Sequence, residues 1–136
     1  MPGSMFVRVA TESDSDLIDE HQKASSLEAS LYRGRTRSLT QSGSEFSYVS
    51  GFGSTIMASL TVHIDSTVAS IEHVYVVPES REVGLGDALI QTLLSELRTR
   101  GVQSVEAQAL PGDRGMKNLF ERHGLIAQTI LVGKSL

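Results

Sequence analysis

The chain of 136 residues contains no cysteine. That excludes a disulfide framework, a thiolate nucleophile and a cysteine-based zinc site. Its apolar runs are far too short to cross a bilayer as a helix. It also lacks a basic surplus: twelve Lys and Arg stand against sixteen Asp and Glu, for a net charge of -4. A duplex nucleic-acid binder normally carries the opposite balance, so no nucleic-acid partner is expected. The first residues lack the basic, apolar and small-residue pattern of an export signal, which predicts a cytoplasmic protein with no membrane partner. No repeat recurs at solenoid periods. What is there is 40% apolar and 21% charged, the composition of a soluble globular domain. A chain of this length buries enough surface for one core without a metal staple. Residues 1–4 read as a cloning remnant or short extension, and residues 5–136 as a single domain.

Hydrophobic periodicity predicts alternating elements. Met5 to Ala10 reads as a strand, followed by a helix through Leu17, Ile18, His21, Ala24, Leu27 and Leu31, ending near Gly34. Phe46 to Phe52, Thr55 to Ile64 and Thr67 to Val77 read as three further strands, the last two joined at Asp65-Ser66. The serine- and glycine-rich stretch Ser38–Ser54 reads as loop and edge strand. Leu85, Ala88, Leu89, Leu93 and Leu97 form the stripe of a long amphipathic helix, stopped by Arg98, Arg100 and Gly101. A strand through Val102, Val105, Ala107 and Ala109 follows. Then come a short helix capped by Asp113, with Met116, Leu119 and Phe120 inside, and a final strand Leu125–Val132. The expected fold is α/β (α+β), a mixed, mostly antiparallel sheet flanked by helices.

The segment Val76-Val77-Pro78-Glu79-Ser80-Arg81-Glu82-Val83-Gly84-Leu85-Gly86-Asp87 carries the chemistry. A strand ends, a short loop follows, and a helix opens at two glycines. Helix N-termini offer unpaired amides and a positive dipole end to phosphate. Gly84 and Gly86 lack the Cβ that would keep a ligand off those amides, and Arg81 adds a cation. The same two glycines also suit a plain strand-to-helix turn. The Walker lysine pattern and the third glycine of the dinucleotide fingerprint are absent.

In its context, Ile71-Glu72-His73-Val74-Tyr75-Val76-Val77-Pro78 followed by Arg81-Glu82-Val83-Gly84-Leu85-Gly86 resembles the acetyl-CoA motif of the GNAT superfamily of N-acetyltransferases. Arg100-Gly101-Val102, Phe120-Glu121-Arg122-His123-Gly124-Leu125 and the opening Val7 to Asp16 continue the resemblance in order along most of the chain. It implies the single-domain acyl-CoA N-acyltransferase fold and an acetyltransferase that uses acetyl-CoA as acyl donor and no metal. The acceptor would be an amine on a small molecule or peptide, and a homodimer stays open. It implies that Arg81, Glu82, Val83, Gly84, Leu85, Gly86 and Asp87 wrap the pyrophosphate. The pantetheine arm would lie along the exposed backbone of Val74 and Val76, where two parallel strands splay. The helix from Asp113, with Phe120, would flank its other side.

The sequence departs from the family pattern in places. Glu82 and Asp87 are acidic beside the expected phosphates. Asp113 falls where Asn is common, and Phe120 where many members carry a Tyr that protonates the leaving thiolate; Phe has no proton to give. Tyr75, beside the cofactor arm, is the candidate for an alternative acid. Deprotonation dominates the acceptor side. A lysine-like amine of pKa ~10.4 costs about 4.6 kcal/mol to neutralise at pH 7, and an α-amine near ~7.8 about 1.1 kcal/mol. Glu72, on the strand entering the loop, is the candidate general base, with a salt-bridged strand glutamate as the plain alternative. Strand alternation puts His73 on the face opposite Glu72, as a half-buried histidine. His21, His63 and His123 lack metal-ligand spacing, and no Ser-His-Asp arrangement stands out. Tyr32 to Arg37 reads as a solvated basic loop, and Phe46, Tyr48 and Phe52 as either a substrate groove or edge-strand packing. Against the enzyme stand two other readings: a non-catalytic acyl-CoA-binding or interaction module, and a nucleotide-binding regulator resting on the glycine loop alone.

Overall fold

A computed structural model of the protein describes residues 3–36 and 42–136. Five strands lie side by side in chain order: β1 (Met5–Val9), β2 (Ser44–Phe52), β3 (Thr55–Asp65), β4 (Val68–Val76) and β5 (Ser104–Glu106). Pairing is antiparallel from β1 to β4 and parallel between β4 and β5. Helix α1 (Ser15–Ala29) follows β1, α2 (Leu85–Thr99) links β4 to β5, and α3 (Arg114–Arg122) follows β5. This is the mixed, mostly antiparallel arrangement that the periodicity predicts.

The core lies on one face of the sheet. Ala58, Leu60 and Val62, alternate residues of β3, are fully buried there. Tyr48 sits opposite Leu60, Phe46 opposite Val62, and Val74 across from Leu60 on the other side. The stripe of α2 closes this face with Leu85, Leu89, Ile90, Leu93 and Leu97, and Phe120 of α3 completes it. Each such leucine contributes about 1.5–3 kcal/mol through burial. Phe46, Tyr48 and Phe52 therefore belong to the core and its margin rather than to a substrate groove. The opposite face is covered by α1, which buries only Ile18 and His21 of its own length and leaves Leu27 exposed, as is Leu31 just past its end.

The chain past α3 departs from expectation. Leu125 donates its amide to Phe120, and the predicted strand Leu125–Val132 is absent: the segment has no regular structure, and Ile126, Ile130, Leu131 and Val132 are exposed. Strand propensity is realised only beside a paired neighbour, and β5 offers little, since it pairs over three residues instead of the expected 102–109. Arg37 of the basic cluster and residues 38–41 of the serine-rich stretch lie outside the described residues.

Candidate active site

The site begins where β4 outruns its parallel neighbour. Val68, Ala69 and Ser70 pair with Ser104, Val105 and Glu106, and from Ile71 to Val76 the pairing is with β3 alone. Val77 donates its amide to Met57 across that antiparallel ladder at 2.9 Å. Backbone groups alternate along a strand, so those of Val74 and Val76 face the open side. Arg81 Nε donates to the Val76 carbonyl at 2.8 Å. The Val76 amide and both polar backbone groups of Val74 are left toward the gap, as the splayed-strand expectation requires.

At the end of this gap, Pro78–Ser80 makes one 3-10 turn, and the backbone then passes through positive φ at Glu82 (68°) and Gly84 (94°). Gly84 is the N-cap of α2, and no side chain caps that helix, so the first-turn amides of Leu85, Gly86 and Asp87 point outward as helix geometry dictates. The two glycines serve different ends. Gly84 supplies a left-handed turn that a Cβ would strain. Gly86 is buried, and a Cβ there would meet Leu119 Cδ2 at 3.3 Å and Val76 Cγ2 at 3.8 Å. Its lack of a Cβ lets α2 pack closely on α3 and β4.

Two of the charges at this mouth, Asp87 and Arg81, are already paired. Asp87 accepts two hydrogen bonds from Arg122, both at 3.1 Å, and lies 2.8 Å from His123 Nε2. The Arg122 hydrogen bonds, more than any other contact, hold its carboxyl below the usual range. An acid beside the expected phosphates is thus balanced by α3. Arg81 is not the free cation that the sequence suggests: its guanidinium donates to Val76 and, at 2.6 Å, to Glu28 of α1. Asp113 accepts from the Met116 amide at 3.2 Å and so caps α3, while Phe120 packs in the core and Val83 is half exposed.

On the α1 side, a bulge rearranges β4. Thr61 of β3 pairs with His73 and the next residue, Val62, with Ile71, so Glu72 is an extra residue. A bulge breaks strand alternation, and His73 does not turn away from Glu72 as predicted. Both side chains stand on the face away from α2: Glu72 meets Glu45 and His63, which pair across β2 and β3, and His73 meets Ser59. Partial desolvation, reinforced by the hydrogen bond and charge of Glu45 and offset in part by His63, pushes the Glu72 carboxyl up to about 7. The donor atoms of Glu45, His63 and Glu72 lie within 4.8 Å of one another, a convergence that their sequence spacing concealed. One cation could span them; two of the three are exposed, where such groups are common without an ion, and no ligand role is assigned.

Behind Glu72 lies a buried polar chain. Ser59 Oγ is 2.7 Å from His21 Nδ1 and 3.0 Å from His73 Nε2. The His21 ring leans on Tyr75, centroids 5.0 Å apart, and the Arg81 guanidinium stands over the same Tyr75 ring, 5.5 Å from its centroid. Burial, and then the nearby His21, pushes His73 down to about 4; burial also lowers His21. Both imidazoles are therefore neutral at neutral pH.

An open β4 edge and an uncapped helix after a Gly-x-Gly turn are features that the GNAT resemblance implies, and the comparison agrees on the family. A family model described as Acetyltransferase (GNAT) family matches residues 13–125. The chain belongs to that family. It is accordingly an acyltransferase, and GNAT acetyltransferases share its fold. It is similar to a GCN5-related N-acetyltransferase from Ralstonia eutropha JMP134, at 23% identity and TM-score 0.75 over 97% of this chain and 99% of that one. An aminoglycoside acetyltransferase from an uncultured soil metagenomic sample, in complex with sisomicin, matches at 14% identity and TM-score 0.73 over 97% and 95%. A predicted acetyltransferase with acetyl-CoA from Clostridium acetobutylicum matches at 14% and 0.72 over 97% and 96%. No curated protein matches the chain.

The structure sets Tyr75 and Val76 against Arg81 and puts the backbone of Val74 and Val76 on the open edge leading to the loop, while Glu72 stands with Glu45 and His63, and Asp113 and Phe120 serve α3 and the core. Reasoning from sequence passed over His21, Ser59 and Glu45 as members of the site. A signal was present in β3, where Ser59, Thr61 and His63 alternate with Ala58, Leu60 and Val62 and mark a polar face.

Proposed function

We propose that the protein transfers acetyl from acetyl-CoA directly to a primary amine in a ternary complex. The observation that carries this reading is the run of β4 past β5 into an uncapped α2 N-terminus. The pantetheine arm, itself amide-bearing, lies along Val74 and Val76 like an added strand and pairs with the free backbone groups of Val74, and the pyrophosphate meets the amides of Leu85, Gly86 and Asp87. Because Arg81 and Asp87 are tied to protein partners, amides rather than side-chain charges hold the phosphates. Glu82 and Val83 shape the loop. Acceptor and thioester are held together, which supplies much of the rate, and the Val76 amide stabilises the oxyanion.

Glu72 takes the proton that the amine nitrogen loses as the amide bond forms. A carboxyl near pH 7 is well matched to that role. The bond from carbonyl carbon to sulfur then breaks, and the thiolate leaves. Tyr75, packed on the same face against His21, is the nearest phenol to this path and the first candidate to protonate it. Free-thiol release from acetyl-CoA across an amine panel tests the reaction. Glu72→Gln should lower kcat by about 10²- to 10⁴-fold while the Kd for CoA stays unchanged. An unaltered kcat returns Glu72 to a structural role. Tight CoA binding without turnover of any amine would instead favour a non-catalytic acyl-CoA-binding module.

A further inference from the structure

The chain leaving α1 crosses the gap between β4 and β5. Its last turn closes with Leu31 donating to Glu28 at 3.0 Å and Tyr32 to Ala29 at 3.1 Å, and a left-handed turn follows at Gly34. At the β4 bank, Glu28 holds Arg81, which also holds the Val76 carbonyl. At the other bank, the chain that leaves β5 reaches α3 through a second left-handed turn at Gly112. There a Cβ on Gly112 would stand 3.5 Å from the Tyr32 ring, and one on Gly34 would stand 3.4 Å from Pro111 Cδ. Residues 28–35 therefore form a strap from one bank to the other. As the continuation of α1, the strap lies on the sheet face where Glu72 stands and where Tyr75 meets His21.

The strap carries cations that nothing neutralises. Arg8, Arg81, Arg100 and Arg122 each meet a carboxylate. Arg33 and Arg35 on the strap, and Arg114 just past Gly112, are exposed and have no ion-pair partner among the described residues. Arg98 also has none, but it sits at the other end of α2, about 20 Å from the mouth. Two carboxylates of the rim are already engaged, Glu28 by Arg81 and Asp113 as the cap of α3. Positive charge thus gathers at one rim of a chain whose net charge is -4. Unpaired charge at a rim attracts or repels whatever approaches it. In the proposed reaction the cofactor's pyrophosphate is met by the α2 amides, whereas the acceptor arrives on the face of Glu72 and passes the strap. We propose that Arg33 and Arg35 are specificity-determining residues that select an acceptor carrying a carboxylate besides its amine, and that turn away polycationic acceptors. A guanidinium fork matches a carboxylate bidentately, which a neutral amide cannot reproduce. Tyr32 is a positioning residue that seats the strap. This inference deepens the proposed acetyl transfer and rests on it.

The test compares acceptors that differ in charge but little in shape: an ω-amino acid and its amide, and C-terminally amidated peptides that share a first residue and continue with Asp-Asp, Asn-Asn or Lys-Lys. In the accepted series the parent should favour the acidic form over the neutral one by at least tenfold in kcat/KM, a ratio carried mainly in KM, and use the basic form least. The ratio should shrink as salt rises. Arg33→Ala with Arg35→Ala should bring it near one, with the Kd for CoA unchanged. Arg33→Glu with Arg35→Glu should invert it. Tyr32→Ala, which unseats the strap and keeps both charges, should leave an intermediate ratio. As a readout independent of turnover, titration of the CoA-bound parent should show the acidic form binding at least tenfold tighter than the neutral one. Equal use of the forms by the parent, or an acidic preference that survives in the folded double alanine variant, overturns the inference and leaves acetyl transfer standing. So does a weakened Kd for CoA in that variant, which would assign the arginines to the cofactor's phosphates. Failure of the parent to acetylate any amine removes the transfer reading and this inference with it.

Discussion

The two faces of the central sheet are built from the same three strands yet do opposite work. On the α2 face, Leu60, Val62 and Val74 meet a leucine stripe, and the buried Ser50 opposite Ala58 donates its hydroxyl to the Phe6 carbonyl. On the α1 face, the residues between them, Ser59, Thr61, His63, Glu72 and His73, meet one another, with Ser47 bonded to Thr61 at 2.7 Å and His21 to Ser59. The first face gains free energy from removing apolar area from water and tolerates any good packing. The second gains little from area and depends on directional partners. One face holds the sheet rigid, and the other spends that rigidity on placing a carboxylate and an imidazole beside an open strand edge. The bulge at Glu72 joins the two requirements, keeping Ile71 and Val74 inward while turning both Glu72 and His73 outward.

That division can be broken from either side, and the largest effect expected is on chemistry. Glu72→Gln should lose two to four decades of kcat yet not stability. The sign follows from the raised carboxyl: a folded-state pKa of about 7, above the unfolded value of about 4.3, favours the folded state below pH 4. That advantage is lost as pH rises through 7. Glu72→Gln should therefore melt higher than the parent at pH 8 and not at pH 4. A lower melting temperature at pH 8 would assign Glu72 a stabilising ion pair instead. In activity, kcat with a weakly basic amine should climb through about pH 7 in the parent and lose that limb in the variant.

Next in size is Leu93→Ala on the apolar face. Leu93 is fully buried, so denaturant unfolding should show a loss of about 2–5 kcal/mol. At a temperature where the variant remains folded, amine preference should be the parent's; a changed preference would mean that the faces are coupled.

Asp14 provides a smaller effect. It accepts from Arg8 at 2.8 and 3.2 Å and from the Thr11 amide at 2.8 Å, and the Arg8 hydrogen bond chiefly holds its carboxyl down to about 2. Asp14→Ala should cost about 1–2 kcal/mol at pH 7. Because the native pKa is lowered, the difference should shrink as pH falls from 4 toward 2. A difference that persists at pH 2 would trace it to packing.

The smallest is Glu28→Gln. The Glu28–Arg81 pair is half exposed on both sides, and breaking it should cost less than about 1 kcal/mol. If freeing Arg81 tightens CoA binding in an equilibrium titration, the guanidinium does reach the phosphates when released. Unchanged affinity would confirm a cradle of amides.

The strands and helices around the core were legible because a single physical rule writes them: alternation in β3 and a 3.6-residue stripe in α2 both record burial. The turn at Gly84 and the cap at Asp113 were legible too, since few residue types satisfy a positive φ or an unpaired helix amide. The motif from Ile71 to Gly86 marked the family, and with it the open β4 edge. The departures share one cause. Leu125–Val132 has strand-like residues, but a strand needs a neighbour that its own sequence does not provide. Gly86 has a packing role that could not be read locally, because Leu119 lies more than thirty positions on. Arg81 and Asp87 looked unpaired until Glu28, Arg122 and His123 came within reach. Local sequence thus determined which segments bury which side and where the backbone must turn, because those depend on neighbours in the chain. Tertiary structure alone decided that Glu72 and His73 share a face and that Ser59 links His73 to His21. A one-residue bulge inverts every alternation beyond it, and only the pairing of β3 with β4 sets where that bulge falls.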